Sequence, residues 1–367
     1  MSSKTAVEKP EFTVANPDVV TKYKTGGDIA KKVLGELKTL AVPGANIIEL
    51  CNKGDELLAA GAAKVYNSKK GLSKGIAFPT SVSVDDCVAY YSPIEGDAVK
   101  TLEAGQTAKI CVGVQIDGYA SILSDTIAVG GQEFSPEVKN AVAAAHYATE
   151  AALRTVKPGS RNMDVTRVVD LVTKEFGVTG MEGMLSLQHQ QNNIAGKKRI
   201  IINPSESQRR DFESQKFEEN EVYGLDIIVS TEGSSGKTKS KQDPTNVFRK
   251  TDLTYQLKLR SSRLAITDVQ KKAGPFPFSV KILDDQRRVR MALKEPLDHG
   301  LVEGYDVLYE KEGKTVVQYF TTFALTKNGI IKLAAADAPN LEGTKKIENE
   351  ELNALLKTSL KVNKNKK

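Results

Sequence analysis

Three histidines, three cysteines and one glycine–lysine loop are the residues of this 367-residue chain whose types could support bond-making chemistry. Metal sites draw on His, Cys and carboxylates at short, fixed spacings. His146 stands in an alanine-rich helical stretch, His189 in the polar run LQHQQNN, and His299 in the turn Asp298-His299-Gly300. None lies at ligand spacing from another His, Cys or acid, and neither HExxH nor G-x-S-x-G occurs. Cys51, Cys87 and Cys111 are odd in number and lack CxxC spacing, the pattern of free thiols in a reducing compartment. Gly233-Ser234-Ser235-Gly236-Lys237-Thr238 follows an apolar run and resembles a phosphate loop. However, the glycine required five residues before Gly236 is Thr231, and no helix opens afterwards. The residues thus imply no metal and no cofactor, and the loop is expected to be exposed.

The chemistry that remains is that of surfaces. The net charge is +6. Five of those positive charges stand in the last eleven residues, on Lys357, Lys361, Lys364, Lys366 and Lys367, so the rest of the chain is nearly neutral. Such a tail suits phosphate-rich partners or nuclear import. A second surplus lies in the Ser/Lys/Gly-rich stretch 231–250, where Lys237, Lys239, Lys241, Arg249 and Lys250 outnumber Glu232 and Asp243. Leu352, Leu355 and Leu356 of the run LNALL share one helical face, which either docks in a partner's groove or packs on its own protein. No apolar run reaches membrane-spanning length and the first residues lack a signal-peptide core, so a soluble intracellular protein is expected.

Positioning such residues falls to elements that recur. Asn16-Pro17-Asp18 and Ser135-Pro136-Glu137 each place a cap, a first-turn proline and an acid at a helix start. Each helix is expected to stop at a V(x)PG break, Val42-Pro43-Gly44 or Val156-Lys157-Pro158-Gly159, and each break leads into a second helix and then strands. The two stretches, 17–129 and 136–230, read as an internal duplication about 115 residues out of phase. Strands are expected over 84–90, 107–115, 119–129, 221–230, 278–282, 305–309 and 315–325, with a polar loop at 69–75. Asp117-Gly118 makes a tight hairpin between the second and third. Helices are expected over 263–272, 285–293 and 348–360. The division expected is a disordered leader over 1–14, a main domain over 15–345 with an insert about 251–310, and a helix with a lysine-rich tail over 346–367.

Several motifs resemble the type-II methionine aminopeptidases: Phe78-Pro79-Thr80, Cys87-Val88-Ala89-Tyr90-Tyr91-Ser92-Pro93, Lys109-Ile110-Cys111-Val112-Gly113 and Glu221-Val222-Tyr223-Gly224-Leu225-Asp226. Glu182-Gly183-Met184-Leu185-Ser186, Asn203-Pro204, Leu308-Tyr309-Glu310-Lys311-Glu312-Gly313 and the C-terminus are similar to the non-peptidase proliferation-associated and curved-DNA-binding proteins. The resemblance covers about residues 15–360. It implies a mixed α/β (α+β) pita-bread fold, with pseudo-two-fold duplicated halves and a type-II insert. In the enzymes two Asp, a His and two Glu hold two metal ions. Carried over, those positions fall on Cys111, Ile122, Leu187 (with His189 close by), Asp226 and Phe320, with Asp125 leaving the second register slightly open, and a further enzyme His falls on Tyr90. The resemblance therefore implies a vestigial pocket without catalysis. It also implies binding to structured RNA, large ribosomal subunits and curved DNA, a role in ribosome production and translation, and residence in nucleus, nucleolus and cytoplasm. The alternatives are a residual metal-dependent aminopeptidase, and a protein-docking module acting through the LNALL helix or through a pocket that still grips peptide N-termini.

Overall fold

The computed structural model describes residues 9–69, 71–283 and 289–362. The tail lysines Lys364, Lys366 and Lys367 lie outside the described residues, as do residues 1–8 of the expected leader. Within the stretch 9–14, Pro10–Phe12 form a 3-10 turn and Val14 is buried against Val19 and Tyr23.

Helix α1 (Pro17–Leu40) begins where its cap residues require, with Asn16 Oδ1 accepting from Asp18 N at 3.0 Å. Helices α2 (Ile47–Ala63), α3 (Pro136–Thr155) and α4 (Asn162–Phe176) complete two consecutive helix pairs. The duplication is sharper in space than in sequence. Gly44 N donates to Leu102 O and Leu102 N to Ala45 O; 115 positions on, Gly159 N donates to Phe217 O and Phe217 N to Ser160 O. The bridges Asn46–Thr101 and Arg161–Lys216 keep the same offset. Gly44 and Gly159 both sit at φ 88°, a conformation that strains any residue with a Cβ.

The strands in chain order are β1 (Lys74–Val84), β2 (Cys87–Ala89), β3 (Thr107–Ile116), β4 (Tyr119–Ala128), β5 (Thr179–Gly180), β6 (Met184–His189), β7 (Arg199–Ile202) and β8 (Glu221–Ser230). They continue as β9 (Lys239–Ser240), β10 (Val247–Lys250), β11 (Phe278–Ser279), β12 (Val302–Gly304), β13 (Leu308–Tyr309), β14 (Val316–Thr326) and β15 (Gly329–Ala334). A nine-stranded sheet runs β1-β3-β4-β14-β8-β6-β7, with β15 paired to β14 and β5 to β8. Helices α1 and α2 pack their apolar faces on the first half of this sheet and α3 and α4 on the second, giving the two largest core clusters. Asp117 and Gly118 take φ 57° and 83°, the turn expected between β3 and β4.

Differences from the sequence reading have local causes. The strand expected over 84–90 divides at Asp85-Asp86, and β1 extends into what read as a polar loop. Pro79 interrupts the pairing of β1, whose register shifts between Phe78 and Ser81, and so hides its alternation. The stretch 231–250 is not all loop: Val247 and Phe248 of β10 are buried. Val280–Ile282 is a 3-10 turn rather than strand.

Helix α5 (Glu206–Asp211) is a surface turn, while α6 (Arg260–Lys272) and α7 (Val289–Asp298) pack with β10–β12 around Phe248, Val269 and Leu293 as a separate small core. Helix α8 (Glu350–Leu356) is shorter than the 348–360 expected. Beyond it the chain straps back onto the β14–β15 turn, with Ile330 N donating to Leu360 O and Val362 N to Asn328 O, both at 2.9 Å. No helix among the described residues is long and apolar enough to cross a membrane.

Candidate functional site

One register line crosses the middle of the sheet through both halves. Cys111 of β3 pairs with Ser124 of β4, Ser124 with Phe320 of β14, and Phe320 with Asp226 of β8. Cys111 and Asp226 carry the 115-residue offset and are equivalent positions of the two halves. Ile122 and Gln318 are likewise equivalent, sharing the 196-residue offset of Ser124 and Phe320. The seam between β4 and β14 has two register pairs, and two equivalent threonines extend it. Thr322 Oγ1 accepts from Ile122 N at 3.0 Å and donates to Ile122 O at 2.7 Å. Thr126 Oγ1 does the same with Gln318 N and O, at 2.9 Å each.

On one face of this line lies a cavity of about 50 Å³, room for a few waters at most. Tyr90, Cys111, Ile122, Leu187, Asp226 and Phe320, the six positions singled out in the sequence, all line it. Phe78, Tyr90 and Tyr305 close one side as mutually tilted rings 5.2–5.8 Å apart. His189, which stands in the polar run LQHQQNN, is 3% exposed and stacks on Phe320 at 6.4 Å. Its signal was the period-two spacing with Leu185 and Leu187, which also line the cavity from β6.

Burial governs every titratable group here. Asp226 accepts from Gln318 Nε2 at 2.9 and 3.1 Å, yet desolvation outweighs that donor and pushes its carboxyl up to about 7. Burial, helped by the charge of Asp226, raises the Cys111 thiol well above its ordinary value, so it stays protonated. Burial also lowers His189 to about 4, leaving a neutral imidazole whose Nδ1 has no hydrogen-bond partner. Tyr90 is raised well above its usual value by the same cause. Asp125 belongs elsewhere: its carboxylate pairs with Lys38 of α1, so the register left open in the sequence closes on Ile122.

A pair of divalent ions at close range needs several bridging carboxylates to offset their repulsion and replace lost water. One carboxylate, a protonated thiol and a neutral imidazole among Ile122, Leu187 and Phe320 do not fit that pair. Among the described residues, no three His, Cys, Asp or Glu side chains converge in a metal-holding group.

The model of metallopeptidase family M24 matches residues 21–231, which span both helix pairs and the sheet up to the end of β8. The chain belongs to metallopeptidase family M24. Within the family it groups with the curved-DNA-binding and proliferation-associated proteins. It is 42% identical to the curved DNA-binding protein of Schizosaccharomyces pombe, over 100% of this chain and 96% of that one. It is 35% identical to proliferation-associated protein A of Dictyostelium discoideum, over 99% and 96%. A solved structure of a thermophilic Arx1, 32% identical, matches 95% of this chain and 100% of its own with a TM-score of 0.86. The pita-bread M24 fold expected from the motifs is thereby established.

The remaining singled-out residues of this M24 chain are scattered. Lys237 and Lys239 are exposed and carry no ion pair among the described residues. Lys241 instead pairs with Asp86 at 2.6 Å and lies 4.2 Å over the Tyr309 ring. Arg249 pairs with Glu303, and Lys250 donates to Gln270 at 2.6 Å. Of the five, Lys241 and Arg249 face acids, while Lys237, Lys239 and Lys250 keep uncompensated charges among the described residues. Lys357 and Lys361 are exposed on the strap, at the opposite end of β8 and β14 from that loop. The LNALL face is turned inward: Leu352 is fully buried with α3 and α4 residues, and Leu355 and Leu356 pack on the same core. Docking through that face, one of the alternatives drawn from the sequence, is thus corrected, because the leucines already have a partner.

Proposed function

We propose that this M24 chain is a non-peptidase member that binds structured RNA, large ribosomal subunits and curved DNA through basic surfaces, and acts in ribosome production and translation in nucleus, nucleolus and cytoplasm. The observation that carries this reading is the cavity itself. The scaffold is kept, but Cys111, Ile122, Leu187 and Phe320, the positions on which the motif resemblance puts the enzymes' ligands, line the cavity with Asp226 as its one acid. Without a bound metal ion no water is acidified to a nucleophile at neutral pH, so function moves to surfaces. The names of the fission-yeast and Dictyostelium relatives agree with such a role.

Phosphate contacts release counterions, so each contributes about −0.9 to the slope of log affinity against log salt on duplex nucleic acid. The informative truncation ends the chain at Val362, because removing residues 357–367 would also strip the Leu360–Val362 strap from β15. That deletion takes Lys364, Lys366 and Lys367 and should flatten the salt slope for ribosomal RNA by about 2–3. An unchanged slope would remove the tail from the interface. Lys237→Gln with Lys239→Gln should subtract a further increment of about 2.

A further inference from the structure

The cavity around Asp226 is not the roomiest enclosure near the seam. On the helical side of the sheet a cleft of about 390 Å³ opens between α3, β14, β15 and the segment 335–338, with Leu356 at its edge. That volume falls within the ~300–1,000 Å³ typical of small-molecule sites. The lining comes from positions more than 170 residues apart: His146, Glu150 and Arg154 from α3, Tyr319 and Thr321 from β14, and Lys332 from β15.

The donors and acceptors in this cleft do not balance. Glu150 accepts from both Arg154 and Lys332, which satisfies the acid. Arg154 uses Nε on Thr358 O at 2.9 Å and Nη1 on Glu150, leaving the two Nη2 donors uncommitted. Lys332 Nζ spends one of its three donors on Glu150. Thr321 is 4% exposed and its hydroxyl has no hydrogen-bond partner among the described residues. His146 makes no hydrogen bond there either and packs edge-on against Tyr147 and Tyr319 at 5.7 and 6.4 Å. Two other acids stand near: Asp337, which lines the cleft and pairs with Lys31 at 2.6 Å, and Asp125, which pairs with Lys38.

We propose that this cleft binds a small organic oxyanion carrying a planar ring, an aromatic carboxylate or a nucleoside monophosphate. The oxyanion takes the free guanidinium and ammonium donors and the Thr321 hydroxyl, and the ring lies against His146 and Tyr319. A neutral ligand would leave those donors unpaired, and a cationic one would also meet the net positive charge that Arg154 and Lys332 keep after sharing Glu150. The site is independent of the Asp226 cavity and of the basic surfaces.

His146 is one of three histidines, so its ring resonance can be followed in the full-length protein and assigned by its loss in His146→Gln. The probes are AMP and benzoate. Saturable displacement of the His146 resonance by at least one of them is expected, with a dissociation constant of about 1 mM or tighter. Lys332→Gln removes an exposed charge without opening the core and should weaken that affinity about tenfold, while Thr321→Val should weaken it about threefold. No saturation by either probe, displacement confined to His189 or His299, or unchanged affinity in Lys332→Gln would each overturn the assignment.

Discussion

Cys111 and Asp226 occupy the same place in the two halves of the sheet, and so do Ile122 and Gln318, yet the halves treat the central cavity differently. The second half keeps a carboxylate and gives it a side-chain donor; the first supplies a thiol that burial keeps neutral and an isoleucine. Elsewhere the halves obey the same rules down to individual hydrogen bonds, including the paired glycine turns and the paired threonine bridges at the seam. Backbone architecture is therefore set by features both halves share, while chemistry is set by side chains at a few equivalent positions that diverged without disturbing it.

A second asymmetry lies in the helices. Position 27 of α1 is glycine, whereas its counterpart on α3 is the buried Val142. The cause is β15, which crosses close to α1: a Cβ on Gly27 would lie 2.1 Å from Leu333 O. Gly27→Ala should thus be the most damaging change considered, about 4 kcal/mol in a urea melt, because backbone rather than a pliable side chain is in the way. A loss below about 1 kcal/mol would mean that β15 yields easily.

Making the halves alike at the cavity should also cost stability. Cys111→Asp places two carboxylates in one low-dielectric pocket and is expected to cost about 3 kcal/mol at pH 8 and clearly less at pH 5, where one of them holds a proton. Equal losses at both pH values would show that the two positions do not sense each other.

Removing the remaining acid tests the same comparison from the other side. The Asp226 carboxyl is raised to about 7 in the fold, against about 3.9 in an unfolded chain. The folded state therefore holds its proton longer, and this group's contribution to stability is full below pH 4 and lost as pH rises to about 7. Asp226→Asn should abolish that decline and gain about 2 kcal/mol at pH 8 relative to wild type. A wild-type profile already flat between pH 4 and 7 would contradict the assigned burial.

The smallest effect is expected at Lys109, whose counterpart is Gly224. Its ammonium donates to Asp85 O at 2.9 Å and Val316 O at 3.0 Å, while burial lowers its pKa to about 8. Below that value the folded state bears the cost of a buried charge, and stability should climb as pH rises from about 8 to about 10.5. Lys109→Met removes the charge and two hydrogen bonds together, so a change within about 1 kcal/mol at pH 7, with loss of the alkaline climb, is expected from denaturant melts across pH.

Much of this was legible in the residues. Caps such as Asn16-Pro17-Asp18 and breaks such as Val42-Pro43-Gly44 act through local backbone chemistry, so they mark helix ends and the duplication without tertiary information. The cavity was legible only through the family motifs, which carry register that composition cannot. His189 could be placed near the cavity only through those motifs, because its chain neighbours are polar while its neighbours in space are Phe320 and Gly224. The loop cations Lys241, Arg249 and Lys250 read as a free cluster because their partners Asp86, Glu303 and Gln270 come from other segments. The cleft beside His146 gave no signal for the same reason: its groups converge only once β14 and β15 lie under α3.

The central claim is that the first half has given up its share of an ion-binding cage. The direct measurement is isothermal titration of the metal-stripped full-length protein with cobalt or manganese, paired with an assay of methionyl-peptide cleavage in the same samples. The expected result is no tight two-ion stoichiometry and no metal-dependent turnover. Two ions bound per chain, with release of methionine that follows their occupancy, would contradict it.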